Sequence, residues 1–228
     1  MTSLVPRPAS FLRRNYHWLL LATVTLTLGT AQGFRYQFSA FYVAMLEEFH
    51  WDRASAAGIG SVNVLTYGAL VVFSGIAVDR FGPRLLMPIG FLVYILAILW
   101  SGFLDQLWQF YAVTGVLAGA GFAFSGFIPG MVVLTTWFVR RRGLAFGVAQ
   151  SGNGLSFLIA SAAQLLIAAV GWRAAYGIIA LGIGAPVLLL LLLFIRRRPR
   201  DLGLFADGEP DQPANPAGAA PRRSLRVV

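Results

Sequence analysis

Arg35 stands in the stretch GFRYQFSAFY, with no other Asp, Glu, Lys or Arg between Arg14 and Glu47. A helix rises 1.5 Å per residue, so about 18 Å separates Arg35 from Glu47. Insertion scales put a central arginine at roughly 2.5 to 3.5 kcal/mol, a cost that points to a polar cavity or partner. Gln32 lies three residues earlier and Ser39 four later, so the three share one helix face. A guanidinium there can hold a carboxylate through two parallel hydrogen bonds. The competing readings are a structural pair within a bundle and a side chain that snorkels outward. Two further polar strips recur at helical spacing: Asn63 with Tyr67, and Gln150 with Asn153 and Ser156. Ser125 is isolated in an apolar run. Such strips line a wetted pathway or form interhelical hydrogen bonds.

Catalytic constellations are missing from the same inventory. Cysteine is absent, and the two histidines, His17 and His50, have no acidic ligand cluster beside them. No G-x-S-x-G environment occurs, and the adjacent Glu47 and Glu48 cannot converge on a bond from two sides. The sequence therefore assigns no catalytic residue, metal ligand or cofactor site.

These polar residues must be positioned by helices in lipid. Hydrophobic residues make up 57% of the 228 and charged ones 12%, against about 25% charge in soluble domains. Mean hydropathy is +0.71. Charge-free stretches cover 54–78, 85–104, 106–139, 143–172 and 174–195, each long enough to cross the hydrocarbon as helix. With a first span over 17–45, the predicted spans are 56–78, 85–104, 107–136, 144–170 and 174–195. The expected fold is an all-α membrane protein, six transmembrane helices in one bundle. Residues 1–16 read as a cytoplasmic N-terminus. Residues 196–228, basic and then rich in Pro, Gly, Ala and Asp, read as a disordered cytoplasmic tail or the opening of a linker. The six tryptophans fall near span ends, as an interfacial belt does.

All 18 basic residues are arginines. Twelve fall before span one or after spans two, four and six, against two, Arg53 and Arg173, on the other side. That asymmetry predicts cytoplasmic termini and an even number of spans. It also explains the +9 net charge without nucleic acid as a partner. A faint repeat at an offset of 89 residues pairs Phe38 with Phe127, Phe49 with Phe138 and Gly58 with Gly147. Two three-helix units of this kind must be inverted relative to each other, a transporter habit.

The turn GIAVDRFGPRLL at 75–86 carries Asp79 at the C-terminal end of span two and Arg84 at the start of span three. Each charge opposes the dipole of its own helix, so it answers to something else, across the turn or in a neighbouring bundle. The turn resembles the G-x-x-x-D-R-x-G-x-R motif of the major facilitator superfamily, with Gly75, Asp79, Arg80, Gly82 and Arg84 on its fixed positions. GFRYQFSAFYVAMLEEFHWDRAS (33–55), TTWFVRRRGLAFGVAQSGNGLS (135–156), GWR (171–173) and RPRDLGLFADG (198–208) resemble bacterial carriers related to monocarboxylate transporters and oxalate/formate antiporters. The resemblance covers about residues 12 to 209, the first six of twelve helices.

What the resemblance implies is transport of a small organic anion, a mono- or dicarboxylate, by proton coupling or exchange through alternating access, in a bacterial inner membrane. Its partners would be the anion, protons, lipid and a second six-helix bundle, from a C-terminal half or a homodimer. Asp79 would meet a helix N-terminus of that second bundle and close a cytoplasmic gate. The rival expectation is a non-transporting fragment or a structural or regulatory membrane subunit.

Overall fold

In lipid the backbone finds no water, so each span must satisfy its own N–H and C=O groups as helix. The computed structural model describes residues 15–196 and Pro199; the predicted flanks, 1–14 and most of the tail, lie outside them. Helix α1 runs Tyr16–Tyr36 and continues as Phe38–Phe49. It is followed by α2 (Arg53–Phe81), α3 (Pro83–Ser101), α4 (Leu107–Trp137), α5 (Arg142–Val170) and α6 (Trp172–Phe194). Helices α2 to α6 are long and apolar enough to cross a membrane. Helix α1 carries the polar Gln32, Arg35 and Gln37, and breaks at Gln37.

Local chemistry sets the ends and interruptions. Asp52 caps α2 by accepting from the Ser55 N–H at 3.0 Å. Gly82, at φ 81°, makes the reversal into α3, which Pro83 opens. In α4, Pro129 has no N–H for the Ser125 carbonyl and its ring crowds that group. The helix breaks at Gly126, three residues before the proline, where φ is −84° and ψ −139°. Arg142 donates back to the Phe138 carbonyl at 3.0 Å, a cation at the negative end of α4.

The packing is pseudo-twofold. Helix α1 packs on α5 and α6, while α4 packs on α2 and α3. Exchanging α1–α3 for α4–α6 maps each of these contacts onto another. The 89-residue offset carries the break at Gln37 onto the break at Gly126. It also carries Gly82 (φ 81°, ψ 154°) onto Gly171 (φ 80°, ψ 158°), each followed two residues on by an arginine. Close helix crossings correspond as well. A Cβ on Gly29 in α1 would lie 2.4 Å from the Gly152 carbonyl oxygen in α5. At the matching crossing a Cβ on Gly119 in α4 would lie 3.0 Å from the Asn63 oxygen in α2.

Both ends of the bundle are tied by specific contacts. Tyr16 donates to the Phe194 carbonyl at 2.9 Å, and Trp137 to the Arg196 carbonyl at 3.3 Å. The start of α1 and the ends of α4 and α6 therefore share one face, which also carries the arginine-rich turns. Glu48, Asp105 and Arg173 meet at the opposite face. Trp137 and Trp172 are buried against the bundle, their indole N–H groups donating to the Arg196 carbonyl and to Glu48 at its two ends. Trp18, Trp100 and Trp108 are the exposed ones. The core stacks Phe41 on Tyr176 at 3.7 Å and buries Phe91, Phe110 and Met45. Burial is uneven: 56% of the apolar window of α4 is inside, against 17% for α2 and for α5. Helices α2 and α5 thus flank the bundle with apolar faces turned outward, including Leu65, Phe73, Phe157 and Leu165.

Candidate functional site

Arg35 sits two residues before the break in α1. Its guanidinium carbon lies 5.3 Å from the Tyr67 ring centre and 5.2 Å from that of Phe122. Two aromatic faces, one from α2 and one from α4, thus hold the cation without neutralising it. Among the described residues no carboxylate or hydrogen-bond acceptor is paired with it.

Arg35 forms part of the wall of two cavities with different chemistry. One, about 210 Å³, is lined by Leu28, Gln32, Arg35, Tyr67, Phe122, Phe127, Gln150 and Asn153. Among the described residues the side-chain amides of Gln32, Gln150 and Asn153 have no hydrogen-bond partner, so their donors remain available beside the cation. The other, about 270 Å³, is lined by Phe34, Arg35, Tyr36, Phe38, Ile59, Gly60, Asn63, Val64, Tyr94 and Thr114. Most of its polar groups are already engaged, the Tyr36 hydroxyl being without a hydrogen-bond partner among the described residues. Asn63 donates to the Thr114 carbonyl at 2.8 Å, Tyr94 to the Ala31 carbonyl at 3.1 Å, and the Thr114 hydroxyl pairs with Ser101 at 2.9 Å.

The structure therefore brings Gln32, Arg35, Tyr67, Gln150 and Asn153 to one cavity from three helices, and puts Asn63 in the other. Ser39 and Ser125 fall outside both cavities. Ser39 is exposed and donates to the Tyr36 carbonyl, and Ser125 is fully buried and donates to that of Gly121. In the charged turn, Asp79, Arg80 and Arg84 are exposed, and Gly75 is half-buried. Pairing across the turn does not occur among the described residues: Asp79 meets neither arginine, and Arg80 lies over the Phe81 ring at 5.5 Å.

Two features escaped the sequence reading. Gln37 is 1% exposed with neither amide atom hydrogen-bonded among the described residues, at a cost of about 1 to 3 kcal/mol per buried polar group. Its polarity was visible, but its burial depends on packing from other helices. At the opposite end, Arg173 bridges Glu48 and Asp105, each at 2.8 Å, and donates to the Leu104 carbonyl at 3.2 Å. The Trp172 indole also donates to Glu48. This clasp ties the end of α1, the α3–α4 loop and the α5–α6 turn. Hydrogen bonds from Trp172 and then Arg173 hold the Glu48 carboxyl below the usual carboxylate range.

A bundle of two inverted three-helix units is an architecture that recurs among membrane transporters. The family model of the Major Facilitator Superfamily matches residues 19–227. The chain belongs to the Major Facilitator Superfamily. Members of this superfamily with similar sequences include an uncharacterised MFS-type transporter of Bacillus subtilis, 29% identical over 80% of this chain and 44% of its own length. Human monocarboxylate transporter 11 is 30% identical over 76% of this chain and 37% of its own. Mouse monocarboxylate transporter 4 is 32% identical over 70% and 34%. The chain spans less than half the length of these curated relatives. As a superfamily member it is a multi-pass membrane protein, distantly related to the monocarboxylate type.

Proposed function

We propose that this chain forms one bundle of a carrier for small organic carboxylates, with Arg35 as the carboxylate ligand. The observation that carries the reading is the unneutralised guanidinium beside the free amides of Gln32, Gln150 and Asn153. A carboxylate there gains a bidentate partner and amide donors. The names of the monocarboxylate-type relatives support the same substrate class. Alternating access, with proton coupling or exchange, needs a second bundle across the cavity, supplied by another polypeptide segment or a second copy. The apolar outward faces of α2 and α5 suit such packing. In this reading the arginine-rich end lies in the cytoplasm, where the exposed Asp79 meets a helix N-terminus of the second bundle, the favourable end for an anion.

The test is binding of acetate, oxalate, hexanoate and phenylacetate to the full chain in lipid nanodiscs, by calorimetry. Hydrogen bonds to charged groups contribute about 1.5 to 3 kcal/mol. Arg35→Ala should therefore weaken every carboxylate that binds by roughly tenfold or more, and Arg35→Lys should restore part of the loss. Binding that ignores Arg35→Ala across the whole panel overturns the proposal.

A further inference from the structure

The clasp on Arg173 has a counterpart at the arginine-rich end of the bundle, and there the acids are missing. The 89-residue offset carries Arg84, two residues past Gly82, onto Arg173, two residues past Gly171. It also carries Tyr16 onto Asp105 and Trp137 onto Glu48. The matching cluster is assembled in space: the Tyr16 and Trp137 rings lie 5.3 Å apart, and Arg84 is close enough to act electrostatically on the Tyr16 hydroxyl. Arg173 holds two carboxylates at 2.8 Å, whereas Arg84 is exposed and has none among the described residues. Few acids could meet it. Of the nine in the chain, Glu47, Glu48, Asp52 and Asp105 belong to the opposite end, and Asp79 meets neither arginine of its own turn. The other four, Asp201, Asp207, Glu209 and Asp211, all follow α6 and lie outside the described residues. The chain leaves α6 beside the same cluster, since Arg196 also acts on the Tyr16 hydroxyl and its carbonyl accepts from the Trp137 indole. Asp201 is the first acid beyond it, five residues on and so within about 18 Å of extended chain.

We infer that the segment after α6 folds back onto the bundle, with the Asp201 carboxylate paired to the Arg84 guanidinium as the second clasp of the twofold arrangement. A carboxylate there also meets the N-terminal end of α3, the favourable end for an anion. The pair ties the start of α3 to the exit of α6, as Arg173 ties the α5–α6 turn to the α3–α4 loop. With both ends clasped, the six helices move as one body against a second bundle, and Asp79 stays available to that bundle. The inference is independent of Arg35 and of any cargo.

An exposed ion pair contributes little stability, so the deciding readout is proximity. All 18 basic residues are arginines, and Arg84→Lys therefore gives the chain its one side-chain amine. A carbodiimide activates a carboxylate, and an amine in contact displaces the activated oxygen to form an amide, the carbodiimide leaving as a urea. The full chain carrying Arg84→Lys, in nanodiscs of zwitterionic lipid, is treated in this way and mapped by peptide mass spectrometry. Position 84 should be joined to Asp201; Asp201→Asn should abolish that product, and Asp201→Glu should retain it. Arg173→Lys is the control, expected to couple to Glu48 or Asp105. Coupling of position 84 to Asp79, to a later acid of the tail or to a second copy overturns the assignment. Absence of coupling at 84 beside a working control overturns it too, and gives Arg84 to lipid phosphate or a second bundle instead. Charge reversal is the second measurement, read as chymotryptic cleavage after Phe205. Arg84→Glu should be cut several times faster than the parent, and Arg84→Glu combined with Asp201→Arg should return to the parent rate. Equal rates for all three proteins also overturn the pairing.

Discussion

Gly29→Ala places one methyl group at the tightest helix crossing around the site. Its Cβ would stand 2.4 Å from the Gly152 carbonyl oxygen, whereas ordinary contact begins at 3.4 Å, so α1 and α5 must part by about 1 Å. The obstacle is backbone on a second helix, which has no rotamer to yield. Overpacking of this kind costs about 1 to 3 kcal/mol. The gain from replacing a helical glycine by alanine, roughly 0.5 to 1 kcal/mol, offsets part of it. Net destabilisation of about 1 to 2 kcal/mol should result, a fall of several degrees in melting temperature by the scale of soluble chains of this size. Gly154→Ala is the internal control, two residues along α5 with no heavy atom within 4 Å of its Cβ. That change should leave the melting temperature unchanged or raise it slightly. The measurement is thermal unfolding of the three proteins in one detergent, followed by fluorescence and by loss of monodisperse protein. Because the crossing lies between Gln32 and Gln150, Gly29→Ala should also weaken carboxylate binding. Equal melting temperatures for Gly29→Ala and the parent would refute the close approach of α1 and α5.

Arg173→Ala should lower thermal stability and raise access to the outer end of α1, read as faster labelling of a cysteine placed at Val43. Glu48, whose carboxyl is held below its ordinary range, contributes stability that is fully present above that range. Acidification should remove this contribution only as pH falls through the lowered value, and Glu48→Gln should abolish that part of the acid sensitivity of unfolding. For orientation, the natural absence of cysteine makes single-cysteine variants clean reporters. Positions 80 and 141 should label from the cytoplasmic side and position 105 from the outside, and the opposite pattern would reverse the assigned topology.

The six-helix class was legible because lipid imposes length and apolarity on every span, a one-dimensional constraint that survives without coordinates. The same holds for the charged turn, whose Gly82 and Pro83 act through backbone rules local to a few residues. Periodicity also put Gln32 and Arg35 on one face of α1, since helical spacing alone decides that. It failed for Ser39, and the isolated Ser125 also falls outside the cavities; both hydroxyls bond carbonyls of their own helices. Spacing does not reveal whether a hydroxyl is already engaged. The inverted repeat was faint in residue identities, which apolar helices share by chance. It became plain in the matching breaks at Gln37 and Gly126 and the matching turns at Gly82 and Gly171. Only the tertiary structure decided that Tyr67 of α2 and Phe122 of α4 would bracket Arg35, and that Gln150 and Asn153 of α5 would face it. It alone drew Arg173 onto Glu48 and Asp105, 125 and 68 residues away along the chain. The reason is physical: burial and pairing depend on which helix faces lie opposite each other, and no periodicity within one helix carries that information.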